Sequence, residues 1–172
     1  FSYSIDSLDE LSQAISKYAS IASAKLRKYN QLSSAITVFI TTNIHSTNFY
    51  KNQATVKLDI ATSDSRVILK KSLVLTEKIF KPYKKLIKAG IILHKLQGNQ
   101  YKQSLLFNEV DVKNEYYQAR LNNLIDNINK RNRRDTLGWG SSAIIKDWNP
   151  RREKLSYFKT TAIESIPTVF AN

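Results

Sequence analysis

The chain has 172 residues, 27 Lys and Arg against 14 Asp and Glu, and a net charge of +13 with an isoelectric point near 9.9. It contains no cysteine and two histidines, which excludes a disulfide scaffold, a thiolate metal site and a cysteine nucleophile, and leaves little for a histidine metal centre. A hydrophobic share of 42% is enough to build a core, so the composition points to one folded domain, with or without an appendage, and an anionic partner.

Apolar residues at Leu8, Leu11, Ile15, Tyr18, Ala19, Ala22, Leu26 and Tyr29 recur every three or four positions and predict a helix over 8–29, after a short extended piece at Phe1–Ile5. Ser7 and Glu10 fit a capping box at its start. The period then changes to two. Ile36, Val38 and Ile40 share one face of a strand across Ala35–Thr41, with Thr37, Phe39 and Thr41 on the other. Thr55–Ile60 repeats the alternation, turning Val56, Leu58 and Ile60 inward, and the polar stretch 43–53 reads as a loop. A second helix is predicted over 65–80, closed by Pro82. Lys85–Leu96 then reads as a strand with Ile87, Ala89, Ile91 and Leu93 on one side and Lys88, Gly90, Ile92 and His94 on the other.

This β-α-β-β-α-β order predicts an α+β fold: a four-stranded antiparallel sheet with both helices on one face and the other face open. Beyond it, polar breaks precede a third helix over 114–131, with Tyr117, Leu121, Leu124 and Ile128 on one stripe, and short strands and loops are expected to the C-terminus. The organisation is therefore 1–97 as the sheet domain, 98–113 as a connector and 114–172 as a C-terminal region. Residues 1–107 hold sixteen Lys and Arg against six acids, so most of the charge belongs to the sheet domain. No stretch is long and apolar enough to span a bilayer. An opening at Phe1 without an initiator Met or a signal peptide suggests a piece of a longer polypeptide.

Little in the chain fits catalysis. Its four glycines include no pair at phosphate-loop spacing. Asp59 and Asp64 are the acids one would offer as ligands for a metal-dependent nuclease, but a surface strand acid and a helix-start acid account for them. His45 and His94 read as ordinary polar residues. The open sheet face is more informative: Thr37, Thr41, Thr55, Lys57 and Lys88 would offer hydroxyl and ammonium donors to phosphates along a groove, a sequence-independent and salt-sensitive mode. RNA-recognition modules share the strand order but need stacking aromatics, and Phe39 alone is a poor match.

Several stretches together resemble one family. Phe1–Ile5 followed by Ser7–Leu11, the strand running to Asn43, and Tyr83-Lys84-Lys85 leading into Ala89–Leu93 are similar to the little finger domain of UmuC-like Y-family DNA polymerases. Leu124–Arg131, Arg134–Leu137 and a motif of Trp148, Arg151, Arg152, Leu155, Ser156, Thr160 and Thr161 resemble the C-terminal region of the UmuC branch. The resemblance implies a bacterial, cytoplasmic and nucleoid-associated translesion polymerase of the SOS damage response, with its Mg2+-binding palm outside this sequence. It assigns no catalytic residue, metal or cofactor to the fragment, and it implies contacts to primer-template DNA from Tyr3, Ser4, Thr41, Asn43, Lys57 and Lys88. Gln103, Leu105, Leu106 and Phe107 fit the Gln-x-x-Leu-Phe form of a sliding-clamp binding peptide. A UmuD-like subunit and a recombinase filament are the further partners implied. A stand-alone basic module that binds RNA or protein is the competing reading.

Overall fold

The computed structural model describes residues 1–99, 112–132, 136–142 and 148–149. Its elements run α1 (Leu8–Lys28), β1 (Gln31–Thr42), β2 (Lys51–Thr62), α2 (Ser65–Ile79), β3 (Leu86–Gly98) and α3 (Val112–Arg131). The class is α+β, as the periodicities require.

Helix α1 forms where its stripe can be buried: Leu11, Ile15, Ala19 and Leu26 are all in the core. Ser7 caps it, its hydroxyl accepting from the Asp9 amide at 3.2 Å. Glu10 does not complete the expected capping box; its carboxylate accepts from the Tyr3 hydroxyl at 2.6 Å instead. The chain leaves α1 through Asn30 at φ 51°, a left-handed conformation that Asn tolerates better than most residues. Helix α2 starts at the Asp64 cap and stops before Pro82, and it buries Ile68, Leu75 and Ile79 while Val67 and Val74 face outward. Both helices pack on the same face of the sheet, against Ile36, Val38 and Ile40. Buried Ser23, Ser72 and Thr76 are satisfied by bonding the carbonyl four residues back, which removes the cost of placing hydroxyls in a core.

The sheet has the order β2-β1-β3, antiparallel throughout. Among the described residues the sheet has three strands, and the expected first strand at Phe1–Ile5 is reduced to a bridge. The N-terminal piece contributes one bridge, in which Ile5 and Leu86 exchange backbone hydrogen bonds of 2.8 and 2.7 Å. Pairing stops there because the register slips: Thr41 faces Lys88 whereas Thr42 faces Leu86, so Ile87 is an extra, bulged residue. The bulge also moves a side chain. Ile87, grouped by the alternation with Ala89, Ile91 and Leu93, is 42% exposed, and Leu86 takes the core position at 0%. A second slip lies between Ser33 and Ala35, which face Thr62 and Lys57, so β2 carries extra residues around Leu58–Ala61.

Strand β2 begins at Lys51, earlier than the polar sequence suggested, so the connecting loop is 43–50. Helix α3 sits differently from an ordinary amphipathic helix. Among its described side chains the buried one is Asn122, while Tyr117, Leu121 and Leu124 on the apolar stripe are exposed and Ile128 is half-buried. It is held by polar contacts: Arg27 makes two parallel bonds to Asp126, 2.6 and 2.8 Å, and the Asn122 amide donates to Asp64 and to the Gln118 carbonyl. Among the described residues no helix is long and apolar enough to cross a membrane.

A candidate nucleic-acid interface on the open sheet face

The helices cover one side of the sheet, and the pleat assigns the other to alternate residues. The strand register arranges these in rows across β2, β1 and β3: Lys51–Thr41–Lys88, Gln53–Phe39–Gly90, Thr55–Thr37–Ile92 and Lys57–Ala35–His94. No acid occupies any of the rows. Lysines stand at both ends, so the terminal cations on β2 are ~20 Å apart along the strand, about the rise of six base steps of B-form DNA. Lys51, Gln53, Thr55, Lys57 and Lys88 are exposed and Thr41 is half-buried.

Between the lysine rows the face is low and internally bonded. Thr37 is only 4% exposed, and its hydroxyl shares hydrogen bonds with the Thr55 hydroxyl at 2.7 Å and with His94 Nε2 at 2.8 Å. It is therefore a strut across three strands and not a free donor, which corrects the expectation that it would reach an anion. Phe39 lies across its neighbour so closely that a Cβ on Gly90 would come within 2.6 Å of its ring. The glycine is needed for that approach, and the ring in turn covers the strand where a side chain is missing.

The remaining candidates divide. Thr41 and Lys88 sit side by side in one row. Asn43 lies beyond the end of β1, where its side chain accepts from the His45 amide and shapes the loop. Tyr3 is turned to the start of α1 by its bond to Glu10, and Ser4 is exposed beside the Ile5 bridge. Sequence reading missed Lys51 and Gln53. The signal was present, because Lys51, Gln53, Thr55 and Lys57 continue one parity, but the polar Asn52 hid it.

Asp64, the acid considered for metal chemistry, is occupied as the α2 cap, accepting from the Arg66 amide at 2.9 Å and the Arg66 guanidinium at 3.1 Å. Burial pushes its carboxyl up, but the hydrogen bonds from Arg66 and Asn122 and the Arg66 charge outweigh that and hold it below the usual aspartate value. Asp59 is exposed on the irregular part of β2 and lines a cleft of about 680 Å³ that also takes in Asp64 and Asn122.

Of the C-terminal motif, Trp148 is described. It is buried, edge-on to Phe1 and Tyr18 at 6.2 and 6.1 Å, with the Lys17 ammonium over its ring and its carbonyl accepting from the Ser2 amide. This fastens a late part of the chain beside the first strand residues. Arg151, Arg152, Leu155, Ser156, Thr160 and Thr161 lie outside the described residues, as do Gln103, Leu105, Leu106 and Phe107 of the clamp-type motif and the short strands expected near the C-terminus.

Residues 1–106 match the impB/mucB/samB family C-terminal domain, and residues 119–169 match a domain of unknown function, DUF4113. Protein MucB of Salmonella typhimurium is 31% identical over 170 residues, and Protein MucB of Escherichia coli is 32% identical over the same length. Protein UmuC of Salmonella typhimurium is 29% identical over 168 residues. These matches cover 96–97% of the chain but 39% of each relative, so the chain spans about two-fifths of their length. With its α+β architecture and a match to the family's C-terminal domain over residues 1–106, the chain belongs to the impB/mucB/samB family.

Proposed function

We propose that the chain is the duplex-holding part of an error-prone translesion DNA polymerase, and that the open face of the β2-β1-β3 sheet takes the phosphate backbone. The observation that carries this is the pair of lysine rows with no acid between them. A low, bonded floor of Thr37, Phe39 and Gly90 lets a duplex approach the sheet while the long lysines reach phosphates on either side. Phe39 is committed to Gly90, which weighs against single-stranded RNA stacking on this face. Holding the duplex this way is indifferent to base sequence, as an enzyme copying damaged template requires.

Polymerisation itself, with the Mg2+ it uses, belongs to the palm of the parent protein. In the connector, Gln103-Ser104-Leu105-Leu106-Phe107 supports tethering to a sliding clamp, which would raise the local concentration of the enzyme at the primer terminus. The C-terminal region, anchored through Trp148, is the part suited to a UmuD-like subunit or a recombinase filament. The setting is the bacterial cytoplasm at the nucleoid, during the SOS response.

The deciding experiment is duplex affinity against salt. Binding should weaken steeply with salt, and Lys57→Gln and Lys88→Gln should each lower the slope of log K on log salt by about 0.9. A wild-type slope near zero, or slopes unchanged in both variants, would refute the reading. Alanine at Leu106 and Phe107 should abolish clamp binding and leave duplex affinity intact; clamp binding that survives would remove the tether.

A further inference from the structure

The sheet has one long free edge. Strand β3 pairs with β1 along its length, but on its other side the N-terminal segment reaches only Leu86 and Ile87. From Lys88 to His94 the outer backbone groups have no strand beside them among the described residues. That is seven residues, ~23 Å of edge. Natural sheets guard such edges with lysines and kinks. Here the guards stand at the ends: Lys88 at one, and Lys95 at φ 50° at the other, where the left-handed residue breaks the line of the strand. Between them Ala89-Gly90-Ile91-Ile92-Leu93 carries no charge.

Alongside this edge, α1 and β3 enclose a groove of about 520 Å³ walled by Tyr18, Ile21, Ala22, Leu26, Ile91 and Leu93. Among the described residues Lys25 is its one charged wall residue. From Gln13 to Tyr29 the sequence holds no acid, so α1 offers Lys17, Lys25 and Lys28 while Arg27 is turned away to Asp126, and β3 adds Lys88 and Lys95, also without an acid. An apolar trough with a cationic rim, running beside unpaired backbone, is a different surface from the phosphate-facing rows and meets them at Lys88.

We propose that this edge is a docking site for an extended peptide segment of a protein partner, acidic and apolar in alternation, which adds a strand to β3. Backbone pairing along Lys88–His94 would supply affinity. Alternate apolar side chains would drop into the groove between Ile21 and Ile91, and the carboxylates between them, turned to the other side of the added strand, would meet Lys88 and Lys95. Charge selects the occupant: a second copy of this chain would bring lysines to a cationic rim, and nucleic acid cannot use a strand edge beside apolar walls. The site does not depend on the duplex-holding reading.

The probe is the fluorescein-labelled peptide acetyl-Glu-Val-Asp-Val-Glu-Ile-Asp-Val-Glu-amide, titrated with the full 172-residue chain without DNA. Saturable binding is expected, with amide shifts and exchange protection at alternate residues of Lys88–His94. N-methylation of alternate peptide amides, or lysine in place of its acids, should each weaken binding by about tenfold or more. Ile21 is 40% exposed, so Ile21→Glu should keep the melting temperature and duplex affinity and lose about tenfold in peptide affinity. Equal binding of the methylated and parent peptides, or shifts centred elsewhere, would overturn the proposal. So would edge amides already protected in the free chain, whether by self-association seen in sedimentation or by the chain's own remaining residues.

Discussion

Asp126→Ala tests whether α3 is held to the sheet domain by charge. Arg27 and Asp126 are 13% and 28% exposed, and two of the guanidinium's bonds end on that carboxylate; its Nη1 also donates to the Ser63 carbonyl and the Ser65 hydroxyl. Removing the acid leaves a mostly buried cation with part of its donors unpaired. An exposed pair contributes about 0–1 kcal/mol, and breaking a fully buried one costs about 3–5 kcal/mol. With solvent screening at Asp126, about 1–2 kcal/mol is expected. Because the described anchors of α3 are polar contacts gathered around Asn122 and Asp126, the loss should be local. Amide exchange across Asn122–Lys130 should quicken by about 5–30-fold, while the amides of β1 keep their protection. Arg27→Met, which removes the cation together with its demand for partners, should couple strongly to Asp126→Ala in a double-mutant cycle. If α3 protection is unchanged in Asp126→Ala, or if β1 amides lose protection equally, the account of α3 is wrong.

Four other outcomes follow from the same geometry. Thr37→Val should lower stability by about 0.5–1.5 kcal/mol in urea unfolding and leave duplex affinity within experimental error; a large loss of affinity would return Thr37 to the contact set. Gly90→Ala should cost about 1 kcal/mol by overpacking Phe39, and adding Phe39→Ala should relieve that specific clash, so additive penalties would refute the close approach. Trp148→Ala, which empties a buried site against Phe1 and Tyr18, should cost up to about 3–5 kcal/mol and expose the Ser2 amide to exchange, whereas an unchanged Ser2 amide would show that the anchor is elsewhere. The Asp64 carboxyl is held low in the folded state, so its stabilisation is complete at neutral pH, starts to fade as pH falls toward the ordinary aspartate value of about 3.8, and is gone below the lowered folded value. Melting temperatures from pH 2 to 6 should show that acid-side slope in the wild type and a shallower one in Asp64→Asn; parallel curves would refute it.

The helices were legible because periodicity and caps agree: Ser7 and Asp64 both start helices where the pattern said helices begin. Strand ends were less legible. Gln31–Ser34 looks polar, yet it extends β1 because Ser33 bonds the Ala35 and His94 carbonyls with its own hydroxyl. Nothing local marks Ile87 as a bulge, since Leu86 and Ile87 are both apolar and only the partner strand decides which turns inward. On the open face, parity along the strands placed Thr41, Thr55, Lys57 and Lys88. It could not find that Thr37 is closed off, because that depends on His94, 57 residues away, arriving on the neighbouring strand.

The polar seating of α3 also has a calorimetric consequence. Among its described side chains the fully buried one is an amide, Asn122, and its strongest anchor is an ion pair. Detaching α3 would therefore expose little hydrocarbon to water and carry a small heat-capacity change, in contrast to melting the sheet and its two covering helices. The two events should respond to different variables, ionic strength releasing the helix and temperature melting the core, so that α3 can let go of a domain that remains folded with Trp148 still seated in it.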